Sequence, residues 1–244
     1  MRDVRTYPDA SSLALAAADH FAAVAASSIA ARGHFSVALA GGSTPRPTYQ
    51  LLVTSESASQ LDWSSVHVFW GDERCVPPDH PHSNYGMARE ALLDHVPLAP
   101  ANVHRIRGEI EPLQAASEYE RTLHQFFVPG PEPEMVTFDL VLLGVGTDGH
   151  TASLFPGSEL LEEQSRWVAA HRADQARGWR VTLTPPAINA ARHVTFLVAG
   201  AGKATILQQV LSGPRQPGSL PAQIVDPRSG NLLWLLDSAA AALL

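Results

Sequence analysis

The chain has 244 residues, of which 45% are hydrophobic and 17% charged, so it can form a sizeable core and bulk disorder is excluded. Its formal net charge of −7 disfavours general nucleic-acid binding, which needs a basic face. The single cysteine, Cys75, allows no intrachain disulfide, and charged residues such as Asp9 and Asp19 interrupt the alanine-rich N-terminal stretch. We therefore expect a cytoplasmic location, with no signal peptide and no transmembrane helix.

The predicted elements alternate between apolar strands and helices. Strands are predicted at 36–40, 66–70, 138–143, 194–199 and 231–236. Helices are predicted at 11–31, from Pro45, from Ser83 to about Leu93, at 113–127, and from Lys203 to Leu211. Thr44 and Ser83 are the expected N-caps of two of these helices, and the Pro-rich stretch 128–133 is expected to be a surface loop. This alternation predicts a single α/β domain over residues 1–244, with a mostly parallel sheet and helices on both faces.

Four of the predicted strands end in glycine-containing segments that also carry polar or charged residues. These segments are 41–44, 71–74, 144–150 and 200–203. Ligands bind beyond the carboxyl ends of the strands in an open parallel sheet. The sequence therefore predicts one ligand site built from these four segments.

Two of the strand ends have features that favour an anionic ligand. Gly42, Ser43 and Thr44 open a helix whose backbone N–H groups favour an anion, and glycine lets the backbone approach it closely. Lys203 begins another helix, where a cation opposes the helix dipole, so we expect it to face an anionic ligand. A plain capped turn and a solvated lysine remain the alternatives for these two features.

The segment Asp148-Gly149-His150 follows the strand 138–143. A neutral imidazole suits proton abstraction near neutral pH, so His150 is the candidate general base. Asp148 is not expected to contact His150 directly across one glycine; it is expected to touch the substrate or shape the loop. A GxGxxG match at 144–149 is discounted, because Asp148 would repel a pyrophosphate. The sequence has no HExxH or GxSxG motif, so neither a metal site nor a covalent nucleophile is predicted.

Five segments resemble the 6-phosphogluconolactonase family, in the superfamily that also contains glucosamine-6-phosphate deaminases. They are LAGGSTPRPTYQLL (39–52), VFWGDERCVPPDHPHSNYGMAREALL (68–93), FDLVLLGVGTDGHTASLFPG (138–157), RVTLTPPAINAARHVTFLVAGAGKATIL (180–207) and PAQIVDP (221–227). They run in family order over most of the chain. The most specific are GDERCVP with SNY, and DGHTASLFPG.

The resemblance implies a single modified Rossmann-like domain that hydrolyses 6-phospho-D-glucono-1,5-lactone to 6-phosphogluconate, the second step of the oxidative pentose phosphate pathway. It implies no metal, no organic cofactor, and a small sugar phosphate as the partner rather than nucleic acid or a membrane. A monomer or a weak homodimer is expected. His150 would activate the attacking water, and Asp72 and Arg74 would lie in the catalytic cleft. Arg74 suits either the oxyanion or the phosphate, and Asp72 either a sugar hydroxyl or Arg74.

The same resemblance supplies the expected substrate ligands. Gly42, Ser43, Thr44 and Lys203 would hold the phosphate, with Arg180 as a further candidate. Asp148 completes the expected substrate-binding set. All of these residues lie in or beside the four strand-end segments, except Arg180.

Three other functions are weighed against lactone hydrolysis. The deaminase loop has the form DGHIAFNEPG, and its glutamate serves ring opening and proton shuttling; here Phe155 takes that position and cannot transfer a proton. A sugar-phosphate sensor of a transcriptional regulator has no need of His150, and only about 35 residues, without a basic recognition helix, precede the first predicted strand. A nicotinamide-dependent oxidoreductase rests on the discounted GxGxxG match alone.

Overall fold

The computed structural model describes residues 2–59, 61–127, 136–174 and 177–244. Its strands are β1 (Arg2–Tyr7), β2 (Phe35–Leu39), β3 (Val66–Trp70), β4 (Asp72–Arg74), β5 (Leu140–Leu143), β6 (Val168–Arg172), β7 (Trp179–Leu183), β8 (His193–Val198) and β9 (Asn231–Asp237). Its α-helices are α1 (Ala10–Arg32), α2 (Arg46–Thr54), α3 (Glu56–Ser59), α4 (Asn84–Ala91), α5 (Pro112–Phe127), α6 (Pro185–Asn189) and α7 (Ala204–Ser212). The loop predicted at 128–133 lies outside the described residues.

In the described part of the chain, the larger sheet has six parallel strands in the order β1-β9-β8-β5-β2-β3. Leu233 and Leu235 of β9 pack with Leu13 of α1. Trp234 of the same strand belongs to the main core and stacks on Phe196 of β8. Because successive side chains of a strand point to opposite faces, both faces of this sheet are covered. The mostly parallel α/β architecture is confirmed.

A second sheet, which the sequence did not predict, contains the short strand β4. Its strands run antiparallel in the order β4-β7-β6. The sequence predicted 71–74 only as a glycine-containing segment after a strand, but Asp72–Arg74 pairs with β7 and places Arg74 opposite Arg180. Three charged residues are too few to show the alternation of a strand, so the pairing has no sequence signal.

The prediction that about 35 residues precede the first strand is wrong, because β1 begins at Arg2. This strand lies at the edge of the sheet, where Val4 pairs with Trp234. Edge strands often carry charged residues, and these obscure the apolar pattern. The following helix α1 is long and apolar enough to cross a membrane by length and composition, but half of its apolar stretch is buried inside the fold. We describe α1 as a core helix.

The buried carboxylate of Asp139 joins the end of α1 to the beginnings of β2 and β5. Its side chain is 2% exposed and accepts hydrogen bonds from the backbone N–H (2.9 Å) and hydroxyl (3.0 Å) of Ser36. Arg32, the last residue of α1, donates to the same carboxylate at 2.6 Å. Arg192 lies 3.5 Å from it. These contacts fix the register between neighbouring parts of the core.

We expect Asp139→Ala to lower the free energy of unfolding by about 3–5 kcal/mol, because it leaves Ser36 and Arg32 without their buried acceptor. Urea denaturation followed by circular dichroism measures the change. Asp3→Ala is the matched control, since it removes an aspartate from an exposed ion pair with Arg5, and its midpoint should hardly move. Equal midpoints for the two variants would contradict the anchoring role of Asp139.

Candidate active site

The carboxyl ends of β2, β3, β5 and β8 border one cleft of about 450 Å³. Eight of the nine predicted site residues line it, namely Gly42, Ser43, Thr44, Asp72, Arg74, His150, Arg180 and Lys203. Asp148 is the exception, because it lines a separate cavity of about 440 Å³. The predicted site is thus assembled from parts of the chain that are far apart in sequence.

Asp148 contacts His150 directly, so the prediction that one intervening glycine would keep them apart is wrong. The distance from His150 Nδ1 to Asp148 Oδ1 is 2.5 Å. Gly149 has a φ of +83°, which turns the chain back, and the Gly146 N–H donates to the His150 carbonyl at 2.8 Å. A Cβ on Gly146 would lie 2.0 Å from His150 Nδ1, so only glycine leaves room for the ring. The sequence signal was the Asp-Gly pair, which favours such turns.

The Asp148 carboxylate stays ionised and therefore sets the tautomer of His150. Partial burial alone would raise the pKa of Asp148, but the hydrogen bonds and charge of His150, together with the hydrogen bond from Arg177, lower this pKa to about 2. A charged carboxylate accepts a hydrogen bond from Nδ1–H, which leaves Nε2 of the neutral ring as an acceptor. The pair is thus arranged to take up a proton at Nε2.

Arg177 and Phe155 complete this group, and neither was assigned a role in the site by the sequence. Arg177 Nη2 donates to Asp148 Oδ2 at 2.9 Å. Its guanidinium lies 4.7 Å from the centre of the Phe155 ring, and the His150 ring centre lies 4.6 Å from the same ring. Both residues line the cleft. No short motif announces a contact between Arg177 and Asp148, which lie in different loops.

The short strand β4 is held by the buried side chain of Glu73, which is 2% exposed. The carboxylate accepts four hydrogen bonds, from the backbone N–H groups of Arg74, Asn84 and Tyr85 and from the Ser83 hydroxyl. Burial raises the pKa of Glu73, and the backbone hydrogen bonds oppose this rise. Ser83 also caps α4 as predicted, accepting from Gly86 N at 3.0 Å.

Asp72 is held by two neutral donors rather than by Arg74. Ser153 Oγ donates to Asp72 Oδ2 at 2.6 Å, and Asn84 Nδ2 donates to Asp72 Oδ1 at 3.1 Å. The Asn84 amide also packs on the turn at Gly41, where a Cβ would lie 1.7 Å from its oxygen. Ser153 and Asn84 were not assigned roles, although both fall within the segments SNY and DGHTASLFPG.

The turn at 41–45 presents backbone to the cleft rather than a helix cap. Gly42 has a φ of +99°, which favours glycine. The helix α2 begins at Arg46, and no side chain caps it. The prediction that Thr44 caps this helix is wrong. Pro45, in a helical conformation, is the residue directly before α2, and Thr44 lines the cleft instead.

Besides Arg177, three cationic side chains line the cleft. Arg74 Nη1 donates to the His82 carbonyl at 2.7 Å. Burial, followed by the nearby charge of Arg74, lowers the pKa of Arg180. Lys203 Nζ donates to the Val145 carbonyl at 2.6 Å, and burial lowers the pKa of this lysine. A bound anion would relieve the repulsion between these cations.

The described ranges contain no group of side chains suited to bind a metal ion. Their His, Cys, Asp and Glu side chains do not gather in groups of three or more that could hold a metal ion. His80 and His82, the nearest histidine pair in sequence, contact each other through a hydrogen bond of 3.1 Å from His82 N to His80 Nδ1. The residues of the cleft instead suit an anionic organic ligand and proton transfer.

Comparisons with known proteins identify relatives over nearly the whole chain. The profile of the glucosamine-6-phosphate isomerases/6-phosphogluconolactonase family matches residues 8–234. A 6-phosphogluconolactonase from Nostoc sp. is 42% identical over 99% of this chain and 98% of the relative. One from Synechocystis sp. is 45% identical over 87% of this chain and 85% of the relative. The solved 6-phosphogluconolactonase of Trypanosoma brucei has a TM-score of 0.88 and 31% identity, covering 100% of this chain and 99% of that one.

We expect Gly146→Ala to reduce the activity of this cleft at least roughly tenfold, because the added methyl group displaces the imidazole and a positioned base contributes about 10²–10⁴. The measurement is turnover of the sugar-phosphate lactone implied by the sequence. Gly218→Ala is the control, since no atom lies within 4 Å of its added Cβ. If Gly146→Ala matched the control in turnover, the observed position of His150 would not be the working one.

Proposed function

The chain belongs to the family of glucosamine-6-phosphate isomerases and 6-phosphogluconolactonases, and we propose that it hydrolyses 6-phospho-D-glucono-1,5-lactone to 6-phosphogluconate in the cytoplasm. The observation that carries this proposal is the 2.5 Å contact between His150 and Asp148 beside a cleft lined by cations. Relatives that align along most of the chain are named 6-phosphogluconolactonase, which supports the same reaction.

In this mechanism His150 is the general base. Asp148 holds the proton on Nδ1, and Nε2 removes a proton from a water molecule as the water oxygen attacks C1 of the lactone. The ionised Asp148 stabilises the imidazolium that forms. The tetrahedral intermediate then collapses, the bond from C1 to the ring oxygen breaks, and the imidazolium returns its proton to that oxygen. The products are a carboxylic acid, which ionises in water, and a free hydroxyl.

Arg74 and Asp72 have separate roles in this proposal. Arg74 stabilises the negative charge that develops on the carbonyl oxygen of the lactone, since a guanidinium supplies both charge and hydrogen bonds. Asp72 orients a sugar hydroxyl. Ser153 and Asn84 already hold its carboxylate away from an ion pair with Arg74, which favours this choice over a role in orienting Arg74.

The phosphate of the substrate lies between the turn at 42–44 and the side chains of Lys203 and Arg180. The glycine turn supplies backbone N–H groups, and the two cations supply charge. Burial lowers the pKa of both Lys203 and Arg180, so binding a phosphate offsets a cost that the free cleft already carries.

The alternative within the family, deamination of glucosamine-6-phosphate, is disfavoured by Phe155. This apolar ring packs on His150 at a centroid distance of 4.6 Å. The deaminase loop described above has a glutamate at this position for proton transfer, and phenylalanine cannot replace that chemistry. Lactone hydrolysis reaches its tetrahedral intermediate without a second acid.

We expect His150→Ala to lower kcat by roughly 10²–10⁴ with little change in KM, because the base acts on water and not on substrate binding. The assay follows disappearance of 6-phosphogluconolactone, corrected for spontaneous hydrolysis, with glucosamine-6-phosphate as a parallel substrate. His95→Ala, an exposed histidine outside the cleft, is the control and should keep the wild-type rate. Near-wild-type turnover of His150→Ala would remove His150 from the role of base.

A comparison of two further variants distinguishes phosphate binding from oxyanion stabilisation. Charge-assisted hydrogen bonds are worth about 1.5–3 kcal/mol, so Lys203→Ala should raise KM for the phosphorylated lactone roughly 10–150-fold with kcat almost unchanged. The effect on unphosphorylated gluconolactone should be much smaller. Arg74→Ala should instead lower kcat for both lactones.

The measurement is kcat and KM of both variants with both lactones. Equal damage by Lys203→Ala to the two substrates would show that Lys203 does not hold the phosphate. A change confined to KM of the phosphorylated lactone in Arg74→Ala would move Arg74 from the oxyanion to the phosphate site.

A further inference from the structure

We propose that Arg177 is a positioning residue that holds the Asp148–His150 pair in its working geometry, with Phe155 as the surface that holds Arg177. This inference deepens the proposed function and rests on it, because it assigns to Arg177 an effect on the general base. Arg177 would act through Asp148 rather than on the substrate.

Both oxygens of the Asp148 carboxylate are engaged in hydrogen bonds. Oδ1 lies 2.5 Å from His150 Nδ1, and Oδ2 accepts from Arg177 Nη2 at 2.9 Å. A carboxylate held on one oxygen only is free to rotate about its χ2 bond, whereas one held on both oxygens is not. The hydrogen bond from Arg177 therefore restrains the plane in which Asp148 meets the imidazole.

Arg177 is itself held from several sides. Its guanidinium lies 4.7 Å from the Phe155 ring centre, a cation–π distance, and its Nε lies 3.4 Å from Asp174 Oδ2. Its backbone carbonyl accepts a hydrogen bond from Arg180. A planar guanidinium can stack on a ring and donate in its plane at the same time, which an ammonium group cannot do.

Phe155 couples the guanidinium to the imidazole. One ring contacts both groups, at 4.7 Å from the Arg177 guanidinium and 4.6 Å from the His150 ring centre. His171 lies on the same ring at a centroid distance of 5.8 Å. Shortening Phe155 would therefore loosen both ends of the Arg177–Asp148–His150 group at once.

The ion pair contributes little to global stability, because the side chains of Arg177 and Asp148 are 41% and 30% exposed. Its effect is local, and besides restraining the Asp148 carboxylate it has an electrostatic part. Without the positive charge of Arg177, the uncompensated Asp148 carboxylate favours the imidazolium form of His150. The other charged groups of the cleft, Asp72, Arg74, Arg180 and Lys203, are the same in all variants tested below.

The experiment compares Arg177→Met, Arg177→Lys and the control Arg172→Met, which removes one positive charge from an exposed position of the neighbouring β6. We expect Arg177→Met to lower kcat about tenfold with KM within about twofold of wild type. The acid limb of its kcat/KM profile should move to higher pH. Arg177→Lys should keep the acid limb in place but recover kcat only partly, and Arg172→Met should match wild type.

A second readout does not depend on activity. The short contact between His150 Nδ1 and Asp148 should give a strongly downfield proton signal in NMR spectra, absent in Asp148→Asn. We expect this signal to be unchanged in Arg172→Met and shifted or broadened in Arg177→Met, with unfolding midpoints alike. If the wild type had no lactonase activity but the expected NMR change in Arg177→Met were seen, the proposed reaction would be wrong and the positioning role would stand.

Three outcomes would overturn the positioning role itself. One is an unchanged downfield signal in Arg177→Met. Another is a rise in KM with kcat intact, which would make Arg177 a substrate ligand. The third concerns a double-mutant cycle with Phe155→Leu: additive losses in kcat would show that Phe155 and Arg177 act independently, whereas we expect the double variant to be little worse than the poorer single one.

Discussion

A carboxylate buried at 2% exposure must be stabilised by hydrogen bonds, and Glu73 meets this need with donors from β4 and from the first turn of α4. The helix N-terminus adds a favourable dipole. Because Glu73 points into the interior, its neighbours Asp72 and Arg74 face the other way, into the cleft. The same bonds place Asn84 where it reaches Asp72 and packs on the glycine turn of the proposed phosphate site. One buried acid therefore positions three polar side chains, although it does not itself line the cleft.

The cleft reconciles an acidic chain with an anionic substrate. The formal net charge is −7, yet Arg74, Arg180 and Lys203 share one cavity. The two carboxylates nearest to them are already occupied, since Asp72 accepts from Ser153 and Asn84, and Asp148 accepts from His150 and Arg177. The local field is thus set by a few half-buried cations whose carboxylate neighbours are engaged elsewhere.

Much of this arrangement could be predicted from the sequence, for identifiable reasons. Strands such as β2 and β5 are buried on both faces, so their residues form unbroken apolar runs that stand out. Their carboxyl ends carry the glycines and polar residues from which the cleft was predicted. The strands β1 and β4 escaped prediction because their charged residues show no apolar alternation. The contact between Asp148 and His150 was not predicted, because it depends on the positive φ of Gly149. The role of Arg177 was not predicted, because its partner Asp148 lies in a different loop. Tertiary contacts of this kind leave no periodic mark in a sequence.

The edge strand β1 has a consequence for the order of folding during synthesis. Its neighbour in the sheet is β9, so β1 cannot be fully paired until the chain has been made as far as Asp237, the partner of Tyr7. While the ribosome makes the intervening chain, the backbone N–H and C=O groups of β1 have no neighbouring strand to pair with. The apolar face of α1 is also uncovered, because the β9 side chains that pack on it have not yet been made. Pairings this distant in sequence form slowly. The strand β1 therefore reaches its native contacts only after β9 has been made, and until then β1 and the apolar face of α1 are open to non-native association.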